Sequence, residues 1–357
     1  MRAFESTTWS PPPDWQRFTT IDLHAEGEPL RVLTTGLDPI PGPTILDKRR
    51  YAQQHLDGLR RALILEPRGH ADMYGAIITE PASPDSDLGV LFMHNEGWST
   101  MCGHGIIALV TCLLETRLRP STFPSLDYER LEAKGELRID APAGQVIARA
   151  TLAPDGQRVA RVTFRNVPSF AYALDQVVDV PGLGRVRYDL AFGGAFYAYV
   201  DAAEIGLELE AGNYHALIEV GMAIKRAVMA TREIRHPFEP DLSFLYGTII
   251  SGPPRDSAHQ ARNVCIFAEG EVDRSPTSTG VSGRAALEYA CGRLRPGQPF
   301  TIESILGTTF TVTIVDEVNF GGFPAVIPEV SGRAWITGRH EFVLAPDDPL
   351  RDGFLLR

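Results

Sequence analysis

Two short stretches carry residues able to do acid–base chemistry. Met101–Gly105 reads MCGHG, and Asp273–Gly280 reads DRSPTSTG. Aligned on their last glycines, Cys102 falls on Thr277, Gly103 on Ser278, His104 on Thr279 and Gly105 on Gly280. Each stretch runs into a segment that reads as a helix. The first N–H groups of a helix have no intrahelical partner, and with the helix dipole they favour an anion. Small residues there let a ligand approach the backbone. Two such starts facing each other would grip a carboxylate from both sides. A cysteine at a helix start is expected to have a lowered pKa, and its thiolate can act as a general base. The competing assignment for Cys102 is a packed core cysteine, which has no use for two flanking glycines. A phosphate site is the other chemistry of a glycine-rich helix start, but neither stretch carries the GKS or GKT of a phosphate loop.

The remaining candidates for chemistry are few. Cys102, Cys112, Cys265 and Cys291 form no C-x-x-C pair and no His/Cys cluster at metal spacing, so neither a metal nor a disulfide framework is expected. Pyridoxal phosphate chemistry needs a Schiff-base lysine. Lys48, Lys134 and Lys225 all stand in charged, surface-like contexts, so no such cofactor is expected either.

The elements that must position the two stretches are mostly strands. RVLTTGL, GAIITE, GVLFMHN, VARVTFRNV, AFYAYVDA, LYGTIISG, NVCIFA and TFTVTIV are short apolar runs between Gly/Pro turns. KRRYAQQHLDGLRRALI and YHALIEVGMAIKRAVMATREI read as amphipathic surface helices. GHGIIALVTCLLETRL, after Cys102, is apolar on every side for three turns, so protein must enclose it. STGVSGRAALEYACGRL, after Thr277, is similar though more polar and stops at RPG. The class expected is α+β, with two strand-rich units each wrapped around one helix, a pattern of internal duplication.

At 357 residues the chain suits one large or two medium domains. A net charge of −11 with no basic run argues against nucleic acid as a partner. The first residues have no apolar core of a secretory signal, and no apolar run reaches the ~20 residues that span a membrane, so a cytoplasmic location is the default expectation.

MCGHG together with DRSP-x-x-TG resembles the proline racemase family, of the diaminopimelate-epimerase-like fold. IDLHAEGEPLRV, EPRGHADMYGA, PAGQV, RNVPSF, AFGGAFYA, ESILGTTF, PAVIPEVSGRAWITG and DDPLRDGF are similar to family stretches and come in family order, from about Phe18 to the C-terminus. The resemblance implies two pseudo-symmetric lobes, each a barrel-like mixed sheet around a central helix, with the active site in the cleft between them. It divides the chain into a flexible tail (1–17), a lobe carrying MCGHG (18–188, completed by 340–357) and a lobe carrying DRSPTSTG (189–339). It also implies no cofactor, a small imino acid as substrate, and homodimers as a frequent assembly. Family racemases hold one catalytic cysteine at each helix start, on opposite faces of the substrate α-carbon.

This sequence departs from that pattern at Thr277. A threonine hydroxyl is a far weaker acid than a thiol, so two-base racemisation should fail. Within the family, threonine here is similar to the mark of trans-3-hydroxy-L-proline dehydratases. The resemblance gives Cys102 the α-proton, Asp273 the ring ammonium, and Gly103, His104, Ser278 and Thr279 the carboxylate. Thr277 either bonds the 3-hydroxyl or fills the cysteine's space. His104 has a side-chain role or is simply packed, and Asp273 has a loop-capping role as its alternative. Ser278 stands where the family has glycine, which leaves less room. His24, His70 and His236 are expected to be structural. The rival functions are a racemase or 4-hydroxyproline epimerase and a non-catalytic imino-acid binder.

Overall fold

A computed structural model describes residues 9–356. Residues 1–8 of the expected tail lie outside the described ones. The rest of that segment turns back on itself, with Trp9 edge-on to Trp15 and the Arg17 guanidinium donating to Pro11 O at 2.8 Å.

The first half of the chain supplies β1 (Gln16–Ala25), β2 (Glu28–Thr35), α1 (Ile45–His55), α2 (Asp57–Ile64), β3 (Tyr74–Thr79), β4 (Leu88–His94), β5 (Gly97–Trp98), α3 (Gly103–Thr116), α4 (Tyr128–Lys134), β6 (Leu137–Ala141), β7 (Gly144–Leu152) and β8 (Val159–Arg165). The second supplies β9 (Ser169–Val180), β10 (Gly184–Phe192), β11 (Phe196–Asp201), α5 (Ala202–Ile205), α6 (Tyr214–Thr231), β12 (Leu245–Gly252), β13 (Ala261–Phe267), β14 (Glu271–Asp273), α7 (Ser278–Ala290), β15 (Pro299–Glu303), β16 (Thr309–Phe320), β17 (Phe323–Gly332) and β18 (Ala334–Leu344).

The two series repeat one plan. β2 pairs parallel with β3 across the α1–α2 crossover, and β11 pairs parallel with β12 across the crossover that holds α6. β4 pairs parallel with β6 across α3, as β13 does with β15 across α7. Parallel neighbours require such crossovers, so each central helix is threaded through its own sheet. α3 packs against β1, β2, β3, β7 and β8, and α7 against β9, β10, β11, β16 and β17. The mixed α+β class and the two sheets around central helices are therefore as expected. β9, β10, β11, β12, β13, β15, β16 and β17 close on one another in a ring of pairings.

β17 serves both sheets. Its Ala325–Val326 end pairs with β9, and its Glu329–Gly332 end pairs with β8. β18 then runs antiparallel to β1, from Ala334 opposite Ala25 to Leu344 opposite Gln16. A boundary after residue 188 would cut β10, which packs with β9 against α7. The chain passes from one wrap to the other between β8 and β9.

Some local expectations need correction. The segment 48–64 is two helices, broken at Leu56, and Lys48, Arg49 and Arg60 on it are buried. Lys225 on α6 is buried too, not surface-like. Lys48 and Lys225 satisfy their ammonium groups on the carbonyls of Glu80 and Ala268. Among the described residues, no helix is long and apolar enough to cross a membrane.

Candidate active site

α3 and α7 meet at their starts, end to end across the seam between the sheets. Gly103 is required by that approach. A Cβ there would come within 2.2 Å of Ser278 Oγ and 2.6 Å of the Phe164 ring. Ser278 therefore occupies the space that Gly103 leaves open. The β10–β11 turn presses on both starts. A Cβ on Gly193 would meet Thr279 O at 2.2 Å, and Thr100 donates to Gly194 O. Asn166, in the crossover between β8 and β9, donates to Gly193 O and to Ser282 Oγ of α7, both at 2.8 Å. The RNVPSF and AFGGAFYA stretches thus build the frame of the site.

Between the starts lies a small cavity of about 20 Å³, room for a water rather than for an imino acid. Cys102, Gly103, His104, Asp273, Thr277, Ser278 and Thr279, all selected in the sequence, line it together. Its other walls are Tyr74, Met101, Tyr197, Tyr246, Cys265 and Phe267. All of them are buried, so entry of a larger ligand requires the walls to move.

Cys102 caps α3, with its Sγ accepting from the Gly105 N–H at 3.3 Å. The expectation of a lowered pKa does not hold. Burial pushes the thiol well above its usual range, the Gly105 N–H opposes this, and the Asp273 and Glu28 carboxyls push it further. Desolvation outweighs the helix start. His104 lies 3.3 Å from the sulfur through Nδ1 and 3.5 Å through Nε2. Burial lowers its pKa to about 3, so its ring is neutral.

Asp273 ends β14 and accepts from the Ser275 N–H at 2.8 Å. Burial raises its pKa to about 6, with the Ser275 and Thr277 hydroxyls and the Ser275 N–H acting against it. Thr277 caps α7 at φ 65°, ψ 90°, a conformation that a β-branched residue adopts only under constraint. Its N–H donates to Ser275 Oγ, while its own buried hydroxyl makes no hydrogen bond of ordinary geometry among the described residues. Thr279 Oγ1 is 2.8 Å from the Tyr197 hydroxyl.

Three features of the site were not read from the sequence. Cys265, on β13 opposite Asp273, brings a second thiol to the cavity wall. Arg274 ties the DRSP loop to the other half, donating from its N–H and Nε to Glu28 Oε2 at 2.7 and 3.0 Å. Tyr74 and Tyr246 join hydroxyls across the seam. His24, His70 and His236 lie outside the cavity walls. His24 Nδ1 accepts from Gly27, His236 Nδ1 from Glu239, and His70 is exposed beside Ala71 O.

A family model described as proline racemase matches residues 20–355. A Colwellia psychrerythraea protein named trans-3-hydroxy-L-proline dehydratase is 46% identical, over 98% of this chain and 96% of its own. A Burkholderia multivorans protein named 3-hydroxyproline 2-epimerase is 44% identical, over 95% and 98%. Among solved structures, a hydroxyproline epimerase from Agrobacterium vitis with bound trans-4-hydroxy-L-proline superposes with a TM-score of 0.84 at 31% identity, covering 96% of each chain.

Proposed function

The chain belongs to the proline racemase family, and we propose that it dehydrates trans-3-hydroxy-L-proline to 1-pyrroline-2-carboxylate. The observation that carries this reading is the pairing of one thiol, Cys102, with a hydroxyl, Thr277, at two opposed helix starts in one cavity. The names of several relatives at similar identity point the same way.

In this reading the substrate carboxylate takes N–H donors from both starts, at Gly103, His104, Ser278 and Thr279. Carbanion charge that develops at C2 spreads into that carboxylate, where fixed donors act most strongly in a dry site. Asp273 pairs with the ring ammonium. The arriving cation also offsets the two carboxyls that hold the Cys102 proton in place, so substrate binding itself favours the thiolate. In the trans isomer the 3-hydroxyl and the α-hydrogen share one face of the ring. Cys102 takes the α-proton, the C3–O bond breaks, and the same sulfur returns the proton to the leaving oxygen. The enamine product tautomerises to 1-pyrroline-2-carboxylate.

Incubation with trans-3-hydroxy-L-proline in D₂O, followed by NMR, tests the reading. Formation of 1-pyrroline-2-carboxylate with L-proline left unchanged supports it. Cys102→Ser should abolish turnover and still bind pyrrole-2-carboxylate, a planar mimic of the carbanion; substantial activity in that variant counts against the thiol's role. The second thiol at the cavity wall, Cys265, favours one other reading, an epimerase that protonates the far face. Inversion at C2 of any hydroxyproline, with deuterium taken up, would establish it instead.

A further inference from the structure

Two tyrosine hydroxyls meet in the cavity wall, one from each half. Tyr74 opens β3, Tyr246 is the second residue of β12, and their oxygens share a hydrogen bond across the seam. Both residues are buried, at 5% and 7% exposure. Their rings are held in place. Tyr74 stands edge-on to the His104 ring at 4.8 Å, and Tyr246 is stacked on Phe267 at 5.4 Å and 8°. Two hydroxyls carry two protons, and the shared bond uses one. Whichever oxygen accepts keeps its own proton to give.

The pair stands on the thiol's side of the cavity. Tyr74 meets the His104 ring, which lies 3.3 Å from the Cys102 sulfur, whereas the Tyr197 hydroxyl is engaged by Thr279 of α7. Burial holds both phenols well above their usual range, so they stay neutral donors into alkaline solution.

We infer that the Tyr74–Tyr246 pair is the hydrogen-bond donor to the C3 hydroxyl of the substrate and stabilises that oxygen as it leaves. The inference rests on the dehydration reading. The α-hydrogen and the hydroxyl share a face, so an oxygen expelled by the action of Cys102 departs on the thiol's side, where this pair lies. The step balances without further reagents. The C2–H electrons form the C2–C3 double bond as the proton passes to sulfur. The C3–O electrons go to oxygen, which takes the proton back from sulfur and leaves as water. The tyrosines keep their protons throughout.

The test uses Tyr74→Phe, Tyr246→Phe and the double variant, which keep the rings and remove the donors. Three quantities are read in D₂O: kcat and KM for trans-3-hydroxy-L-proline, deuterium entering C2 of recovered substrate relative to product formed, and the affinity for pyrrole-2-carboxylate, which has no C3 oxygen. Removing a donor to a developing oxyanion costs on the order of 10² in kcat. A fall of roughly that size is expected, with pyrrole-2-carboxylate affinity unchanged and the deuterium ratio raised, because C–O cleavage is slowed more than proton removal. Wild-type kcat in the double variant overturns the inference alone. So does a fall in which pyrrole-2-carboxylate binding is lost in step and the deuterium ratio stays constant, since that marks a packing role. An unsubstituted protein that does not dehydrate trans-3-hydroxy-L-proline overturns both the inference and the reading beneath it.

Discussion

Cys102 and Thr277 occupy matching cap positions, yet only the first has the relaxed extended backbone of an ordinary helix cap. Thr277 is held at positive φ by its neighbours, and its hydroxyl is left without a well-aligned partner. Thr277→Cys should therefore be tolerated and should confer inversion at C2 that the parent lacks, read by chiral analysis of recovered substrate; no inversion would show that the thiol alone is not the missing acid. The titrating groups set the pH profile. On the proposed function Asp273 must be charged to hold the ring ammonium, and its pKa near 6 then gives kcat/KM a limb that rises through that pH. The raised Cys102 thiol extends the rise toward alkaline pH, and His104, near 3, adds no limb above pH 4. Asp273→Asn should remove the limb near pH 6 along with most activity. Its survival in that variant would assign it to another group.

At the scale of elements, the meeting of α3 with α7 depends on one missing side chain. Gly103→Ala drives a methyl into Ser278 and Phe164, and overpacking of this kind costs about 1–3 kcal/mol. A lowered Tm and lost activity are expected, with Ser278→Gly restoring part of both in the double variant; equal damage in single and double would mean that Phe164 alone sets the limit. Both central helices were legible in advance because their starts carry small residues, and in α3 because the apolar residues leave no polar face. The strands were legible from their short apolar runs between turns. The break at Leu56 was not, since nothing in KRRYAQQHLDGLRRALI interrupts helical periodicity. Burial of Lys48, Arg49, Arg60 and Lys225 was hidden because their cationic ends find backbone carbonyls, a satisfaction that residue type does not announce. The depressed thiol pKa failed for a related reason: a cap position is visible in sequence, but the depth at which it is buried is not. Tyr74, Tyr246 and Cys265 were missed because a strand's alternation says which residues share a face, and the seam with another half decides which face becomes a cavity.

On the scale of the whole molecule, polar contacts clamp the halves together around the cavity. Arg274 reaches from the DRSP loop to Glu28, a carboxyl with no exposure, and also donates to Asp72 O. Thr308 donates to Glu26 O, and the Arg333 N–H to Glu26 Oε1. Removing one partner of a buried pair costs about 3–5 kcal/mol because the other charge is stranded. Arg274→Met should show such a loss by urea denaturation at neutral pH. Burial raises the Glu28 pKa against the opposing pull of Arg274, and loss of Arg274 removes that pull. A raised folded-state pKa supplies stability at low pH that is lost as pH rises. The gap between variant and parent should therefore widen from pH 5 to pH 8, and a gap independent of pH would remove Glu28 from the explanation.

The two-faced strand β17 and the β1–β18 pairing have a consequence for how the molecule comes into being. β1 pairs with β2 on one edge as soon as both are made, but its other edge, with Gln16 opposite Leu344, waits for β18. The sheet around α3 must wait with that edge open, although α3 already packs on its inner face. The ring around α7 draws its strands from β9 through β17, and the pairing of β17 with β9 closes it before β18 is made. Vectorial synthesis thus inverts the order of the sequence: the later half can consolidate first, and its last strand then reaches across to finish the earlier one. Long-range closure of this kind carries the entropic cost of a very large loop and slows folding. During that wait the Cys102 thiol at the start of α3 belongs to an unfinished sheet, which closes only when β18 arrives.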